Sequence, residues 1–429
     1  MSRRTIEFCC AIVIIGLSAG VAGAATTLLL HWIEHLTYHY TFGTLLTGIG
    51  GSSPVRRAVG PMIGGAVAGC GWWILRRRTD VPGLTETIKN HRAIPRVPMS
   101  IDAGLQVLLV GSGASLGREG APRQLAAALG DFGTSRLALT ARDREILLAC
   151  AAGAGLGAVY SVPLGGALFA ARILLGTWHP RAVGAALITS SLAVAVASPV
   201  THFEHALAWP GVELSYLFAF LALAIAPLAA AVGLVFNRVM VIARPKVQFT
   251  SWVLIPAIAA VGLLTGICSI WWPELPGNGR SILTVSLNSG LTLGAAALIL
   301  LLKPLLTALF LRSGAVGGLL TPALATGAAA GSLAALALDQ WAGTDIHVPA
   351  VSLTCAAGVL AITQRAPAFA ALFVWELARP PIWLLVVFAI AAYAAHGLRL
   401  LRERHTSAAR GKRSDCSAGP NGTHTSTFP

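Results

Sequence analysis

Gly111-Ser112-Gly113-Ala114-Ser115-Leu116-Gly117-Arg118-Glu119-Gly120-Ala121-Pro122 has a counterpart some two hundred residues on, Ser313-Gly314-Ala315-Val316-Gly317-Gly318-Leu319-Leu320-Thr321-Pro322. Each is glycine-rich, ends in proline and sits among apolar residues. The likeness extends outward at nearly the same offset. Trp72-Trp73 stands opposite Trp271-Trp272, and Ala151-Ala152-Gly153 with Pro163 and Phe169 stands opposite Ala356-Ala357-Gly358 with Pro367 and Phe373. Shared order and spacing mark two related halves. Related halves with interrupted apolar segments are the signature of a transporter-like fold, whose substrate site lies near the bilayer midplane at the repeat interface.

Composition agrees. Of 429 residues, 55% are hydrophobic and 11% charged, against about 25% charged in soluble proteins. So few charges cannot cover a soluble surface of this size, which excludes an ordinary cytosolic enzyme and a disordered chain. Seven scattered cysteines with no C-x-x-C pair exclude a disulfide scaffold and the common zinc and thiol-redox motifs. The expected class is an all-α polytopic membrane protein. Charge-free runs cover 8–33, 58–75, 146–171, 182–203, 214–237, 247–273, 281–302, 313–338, 346–364 and 380–398. Internal Gly and Pro predict broken or re-entrant helices, tolerated where they are buried in protein or line a cavity. Continuous rather than alternating hydrophobicity excludes a β-barrel.

The formal charge of +14 reads as the positive-inside rule, with no nucleic acid as partner. Basic residues cluster at Arg3–Arg4, at 76–96 and at 399–413. This predicts an even number of crossings and cytoplasmic termini, with Arg56 and Arg57 on the wrong side. Residues 401–429 read as a basic, disordered cytoplasmic tail, and the sequon at Asn421 has no use there. Trp72, Trp73, Trp271 and Trp272 read as interfacial anchors, and Lys303 and Arg312 as snorkelling cations. His179, His202, His205 and His347 lack metal-ligand spacing and read as loop residues.

The two glycine-rich motifs carry the chemistry. Where such a loop opens a helix, the first N–H groups lack partners and the dipole is positive. Two helix starts facing each other inside a membrane make an anion site. Glu119 is a carboxylate in an apolar region, expensive and usually functional. It can occupy the anion's pocket itself and vacate it when protonated or swung away. It can equally be a helix cap paired with Arg118.

These motifs resemble those of the CLC family of chloride channels and anion/proton exchangers. The segment 111–120 resembles the family's G-R/K-E-G-P motif, and 313–322 its G-x-F-x-P motif. Val162-Pro163-Leu164-Gly165-Gly166-Ala167-Leu168-Phe169, and Arg365-Ala366-Pro367 with Glu376, resemble its two later proline-bearing helices. The resemblance runs from about residue 8 to 400. It implies an inverted repeat of about eighteen full and partial helices, with halves at about 8–200 and 212–400. It implies a homodimer with a pathway for chloride or another small anion in each subunit, in a bacterial inner membrane, and no metal, nucleotide or soluble cofactor. It also implies Glu119 as the gate, with anion contacts from Leu319, Leu320, Gly317, Gly318, Gly120 and Arg118.

This chain departs from the family at four places, one of them the proline that directly follows E-G in the family, displaced here by Ala121 to Pro122. The family's serine-bearing G-S-G-I-P becomes Arg78-Thr79-Asp80-Val81-Pro82, which puts Thr79 in the serine's place and an acid beside the path. The exchangers' inner proton-relay acid would fall at Arg172 or Ile173, neither of which is a carboxylate. The tyrosine that contacts the anion has only Tyr393 as a counterpart, and poorly placed. The missing acid favours a channel or uncoupled transporter over a proton-coupled antiporter. A non-conducting homologue is the other alternative. An integral membrane enzyme using Glu119 and Asp80 would need a nucleophile or metal that the sequence does not offer.

Overall fold

Backbone in lipid must satisfy its own hydrogen bonds, so apolar runs of this kind fold as helices. The computed structural model describes residues 3–90, 92–201, 209–211, 217–245, 247–343 and 346–417. Among these are seventeen α-helices and one π-helical turn. The first half holds α1 (Arg3–Tyr38), α2 (Leu45–Gly51), α3 (Pro54–Arg78), α4 (Leu84–Lys89) and α5 (Arg96–Gly111). It continues with α6 (Gly120–Gly133), α7 (Ala141–Tyr160), α8 (Pro163–Leu168, running on as the π turn Phe169–Leu174) and α9 (Pro180–Thr201). The second half holds α10 (Leu217–Ala243), α11 (Leu254–Trp271), α12 (Arg280–Leu287) and α13 (Leu293–Arg312). It ends with α14 (Leu320–Ala342), α15 (Val348–Gln364), α16 (Pro367–Ala378) and α17 (Trp383–Ser417).

Eight helices are long and apolar enough to cross a bilayer: α1, α3, α9, α10, α11, α13, α14 and α17. Seven bury between 33% and 50% of their apolar window inside the molecule, while α14 buries 78%. Thus α14 is wrapped by protein and the others present a face to lipid.

Three apolar runs are interrupted where local chemistry dictates. The run 146–171 breaks after Tyr160, where left-handed Ser161 (φ 55°) leads to Pro163 at the first turn of α8. Its counterpart breaks identically, through left-handed Arg365 (φ 56°) to Pro367 at the start of α16. The run 281–302 divides at Asn288–Thr292, where Thr292 caps α13 by accepting the Ala295 N–H at 3.2 Å. The run 313–338 becomes helical only at Leu320.

Three expectations need correction, those for Trp72, Lys303 and residues 401–417. Trp72 is no interfacial anchor: it is fully buried and donates to the Asp102 carboxylate at 2.7 Å. Gln106 and Gln124 donate to the same carboxylate at 2.8 and 3.0 Å, so an internal acid draws the indole inward. Lys303 does not snorkel. It has no exposed surface, and its Nζ donates to the Leu275 and Gly277 carbonyls at 3.0 and 2.8 Å, closing loop groups that have no helix partner. Arg56 and Arg57 bind backbone carbonyls of Thr37, Ser52 and Ser269, the last in the final turn of α11. Finally, α17 runs on to Ser417, past the expected start of a disordered tail at 401, helped by an Arg399–Glu403 pair one turn apart. His202, His205 and the Asn421 sequon lie outside the described residues.

Candidate functional site

The two glycine-rich stretches fold alike. Each follows a long helix, turns at a positive-φ glycine (Gly113, φ 110°; Gly314, φ 92°), and closes with the next alanine's N–H on a carbonyl five residues back, at 3.1 Å in both. They meet at equivalent residues. Gly117 N–H donates to Gly318 C=O and Gly318 N–H to Gly117 C=O, both at 2.8 Å. A reciprocal contact between equivalent residues is what a local two-fold axis produces. Beyond this bridge α6 and α14 begin, with Glu119 and Leu319 at their N-cap positions and no side-chain cap on either helix.

The Glu119 side chain crosses to the start of α14 and is 1% exposed. Its Oε1 accepts the Leu320 N–H at 2.6 Å and the Thr321 N–H at 3.4 Å. Its Oε2 accepts the Thr321 hydroxyl at 3.1 Å and the Tyr160 hydroxyl at 3.3 Å. A Cβ on Gly117 or Gly318 would overlap this carboxyl, so only glycine leaves it room. Four donors and a positive helix end converge on one point, a pocket built to hold one negative charge.

The loop that delivers Glu119 is fixed at several carbonyls. Tyr38 donates to Ser112 at 3.3 Å, Gly277 N–H to Gly113 at 3.3 Å and Thr307 to Ser115 at 2.8 Å. Arg123, one turn into α6, donates to the Glu119 carbonyl at 2.7 Å and lies over the Phe169 ring.

The structure thus brings together Glu119, Gly318 and Leu320 of the expected residues. Leu319 is at the α14 N-cap position, Gly317 packs on Leu116, and Gly120 opens α6 against Gln106. Arg118 is buried but turned aside, with its guanidinium over the Tyr160 ring at 5.1 Å and on the Val159 carbonyl at 3.3 Å. Thr79 caps the end of α3 and its hydroxyl donates to the Asp80 carbonyl at 3.4 Å. Among the described residues no bond links Thr79 or the exposed Asp80 to Glu119. Tyr160 and Thr321 were not singled out from sequence. Thr321 lies inside the second motif, but nothing marks Tyr160, at the end of an Ala- and Gly-rich run, as a partner of a residue 41 positions earlier.

At the inner candidates, Arg172 stacks over the half-exposed ring of Trp178 at 4.5 Å. Glu376 accepts the N–H groups of Leu164 and Gly165 at 3.0 and 2.6 Å, capping α8 from α16 in the other half. Tyr393 faces outward, 55% exposed.

The family model for voltage gated chloride channels matches residues 64–398. The voltage-gated ClC-type chloride channel ClcB of Escherichia coli O17:K52:H18 (strain UMN026 / ExPEC) is 29% identical over 375 residues, covering 85% of this chain and 89% of that protein. Among solved structures, a slow cyanobacterial Cl−/H+ antiporter superposes with a TM-score of 0.76 at 21% identity, over 94% of this chain and 98% of that one. A CLC-type fluoride/proton antiporter superposes with a TM-score of 0.69 at 20% identity, over 91% and 95%.

Proposed function

The chain belongs to the voltage gated chloride channel family, and from that membership we propose that it carries small anions, chloride first, across a cell membrane under the control of Glu119. The observation that carries this reading is the Glu119 carboxylate seated on the Leu320 and Thr321 amides. Seated there, the carboxylate fills the place an anion needs and the path is closed. Protonation removes its charge, and rotation out of the pocket leaves the same N–H groups and helix dipole facing a solute anion. Partial charges hold such an anion without the tight grip of a full cation, so it can leave again. Residues of about 8–200 and 212–400 act as inverted repeats around this pocket. Each subunit of a homodimer carries its own path, and both termini face the cytoplasm.

We favour a channel or uncoupled transporter. Position 172 is an arginine stacked on Trp178 and position 173 an isoleucine, so neither offers the carboxylate that an inner proton relay would use there. Proton-coupled exchange is the second reading, supported by the antiporters named among the structural neighbours. Purified protein in chloride-loaded liposomes, clamped at zero potential with valinomycin and potassium, separates the two. Chloride efflux without linked change in bath pH is expected. Proton movement that follows chloride would establish exchange instead, and no efflux of chloride, fluoride or nitrate would leave the non-conducting homologue.

A further inference from the structure

The Glu119 carboxylate has an uneven environment. Its Oε1 meets backbone amides, while its Oε2 meets two hydroxyls, Thr321 at 3.1 Å and Tyr160 at 3.3 Å. A backbone N–H can only donate. A hydroxyl donates or accepts according to how it rotates. The pair can therefore donate to an ionised carboxylate, accept from a protonated one, and donate again to whatever anion replaces it.

Both hydroxyls are held in place. Tyr160 is 9% exposed, its ring in a T-shaped contact with Phe373 at 5.8 Å and under the Arg118 guanidinium at 5.1 Å. Thr321 is 2% exposed in the first turn of α14. We infer that the Tyr160 and Thr321 hydroxyls are ligands of the transported anion as well as clamps on the gating carboxylate. This rests on the reading of Glu119 as a gate and adds to it two side-chain ligands, on α7 and α14. Both come from outside the serine-bearing segment, where the Thr79 hydroxyl is turned to the Asp80 carbonyl. The charged groups around them are Arg118 and Arg123 on the Glu119 segment, Arg280 on α12, which interacts with Arg118 and Tyr160, and Glu34 and His31 on α1, which face Arg118.

The test compares Tyr160→Phe, Thr321→Val and Thr321→Ser with the parent in chloride-loaded liposomes, across pH and chloride concentration. Chloride affinity of each purified protein is measured by calorimetry. Each hydroxyl helps hold the gating carboxylate in the pocket, so its loss weakens that hold. In Tyr160→Phe and Thr321→Val the pH midpoint of efflux is expected to rise by about one unit. Chloride affinity in these variants should weaken by roughly three- to tenfold. Thr321→Ser, which keeps the hydroxyl, should match the parent. Parent-like midpoint and affinity in both hydroxyl-free variants would overturn the inference, as would equal shifts in Thr321→Ser and Thr321→Val, or lost efflux with unchanged affinity. Failure of the gate reading itself shows separately, as pH dependence that persists in Glu119→Gln.

Discussion

Glu119 is held by four donors at the start of α14, and the room for its carboxyl comes from what two neighbours lack. A methyl group on Gly318 would stand where the carboxyl now lies. On the proposed reading, Gly318→Ala keeps the carboxylate from seating. Its pH dependence of chloride efflux should flatten by several-fold relative to the parent, measured as the ratio of rates at acid and neutral pH. An unchanged ratio would mean that Glu119 does not close the path from this position. The pieces of this pocket were unequally legible in the sequence. Glu119, Gly318 and Leu320 stand in motifs whose chemistry announces itself: an acid among apolar residues, and backbone without Cβ ahead of a helix. Tyr160 reaches the carboxylate only because α7 ends beside the Glu119 loop, a long-range placement with no local signal. Trp72 and Lys303 depart from the sequence expectation for a related reason. An aromatic pair or a lone cation near the end of an apolar run looks interfacial until the internal partner, Asp102 or a loop carbonyl, is seen.

Helix breaks position the site at the next scale. The left-handed residue, the non-helical residue and the proline that separate α7 from α8 recur between α15 and α16. Proline made these breaks foreseeable, since the residue before it is driven out of helical geometry. How the resulting helix starts would be satisfied was not foreseeable, because the cap of α8 comes from Glu376, 211 positions after Gly165. A carboxylate on two helix-start amides is a structural fixture. Glu376→Ala is expected to lower stability by about 1–2 kcal/mol, seen as a lower thermal unfolding temperature, with the ratio of proton to chloride movement unchanged. A change in that ratio without loss of stability would make Glu376 a proton carrier instead.

At the scale of the whole molecule, two related halves meet at the reciprocal Gly117–Gly318 bridge, and the most protein-enclosed of the apolar spans, α14, begins two residues beyond it. The halves were visible as a repeat in order and spacing, and the membrane class in the shortage of charge. Their meeting at equivalent residues was not, because a sequence offset does not say where an axis runs. If the molecule is an anion pathway, flux through all of it answers to one carboxylate at this junction. Chloride efflux from liposomes, measured for the parent and Glu119→Gln from acid to alkaline pH, tests that directly. Efflux through the parent should rise toward acid pH, while Glu119→Gln should conduct at every pH with no dependence on it. A Glu119→Gln protein whose efflux follows the parent's pH profile would contradict the account.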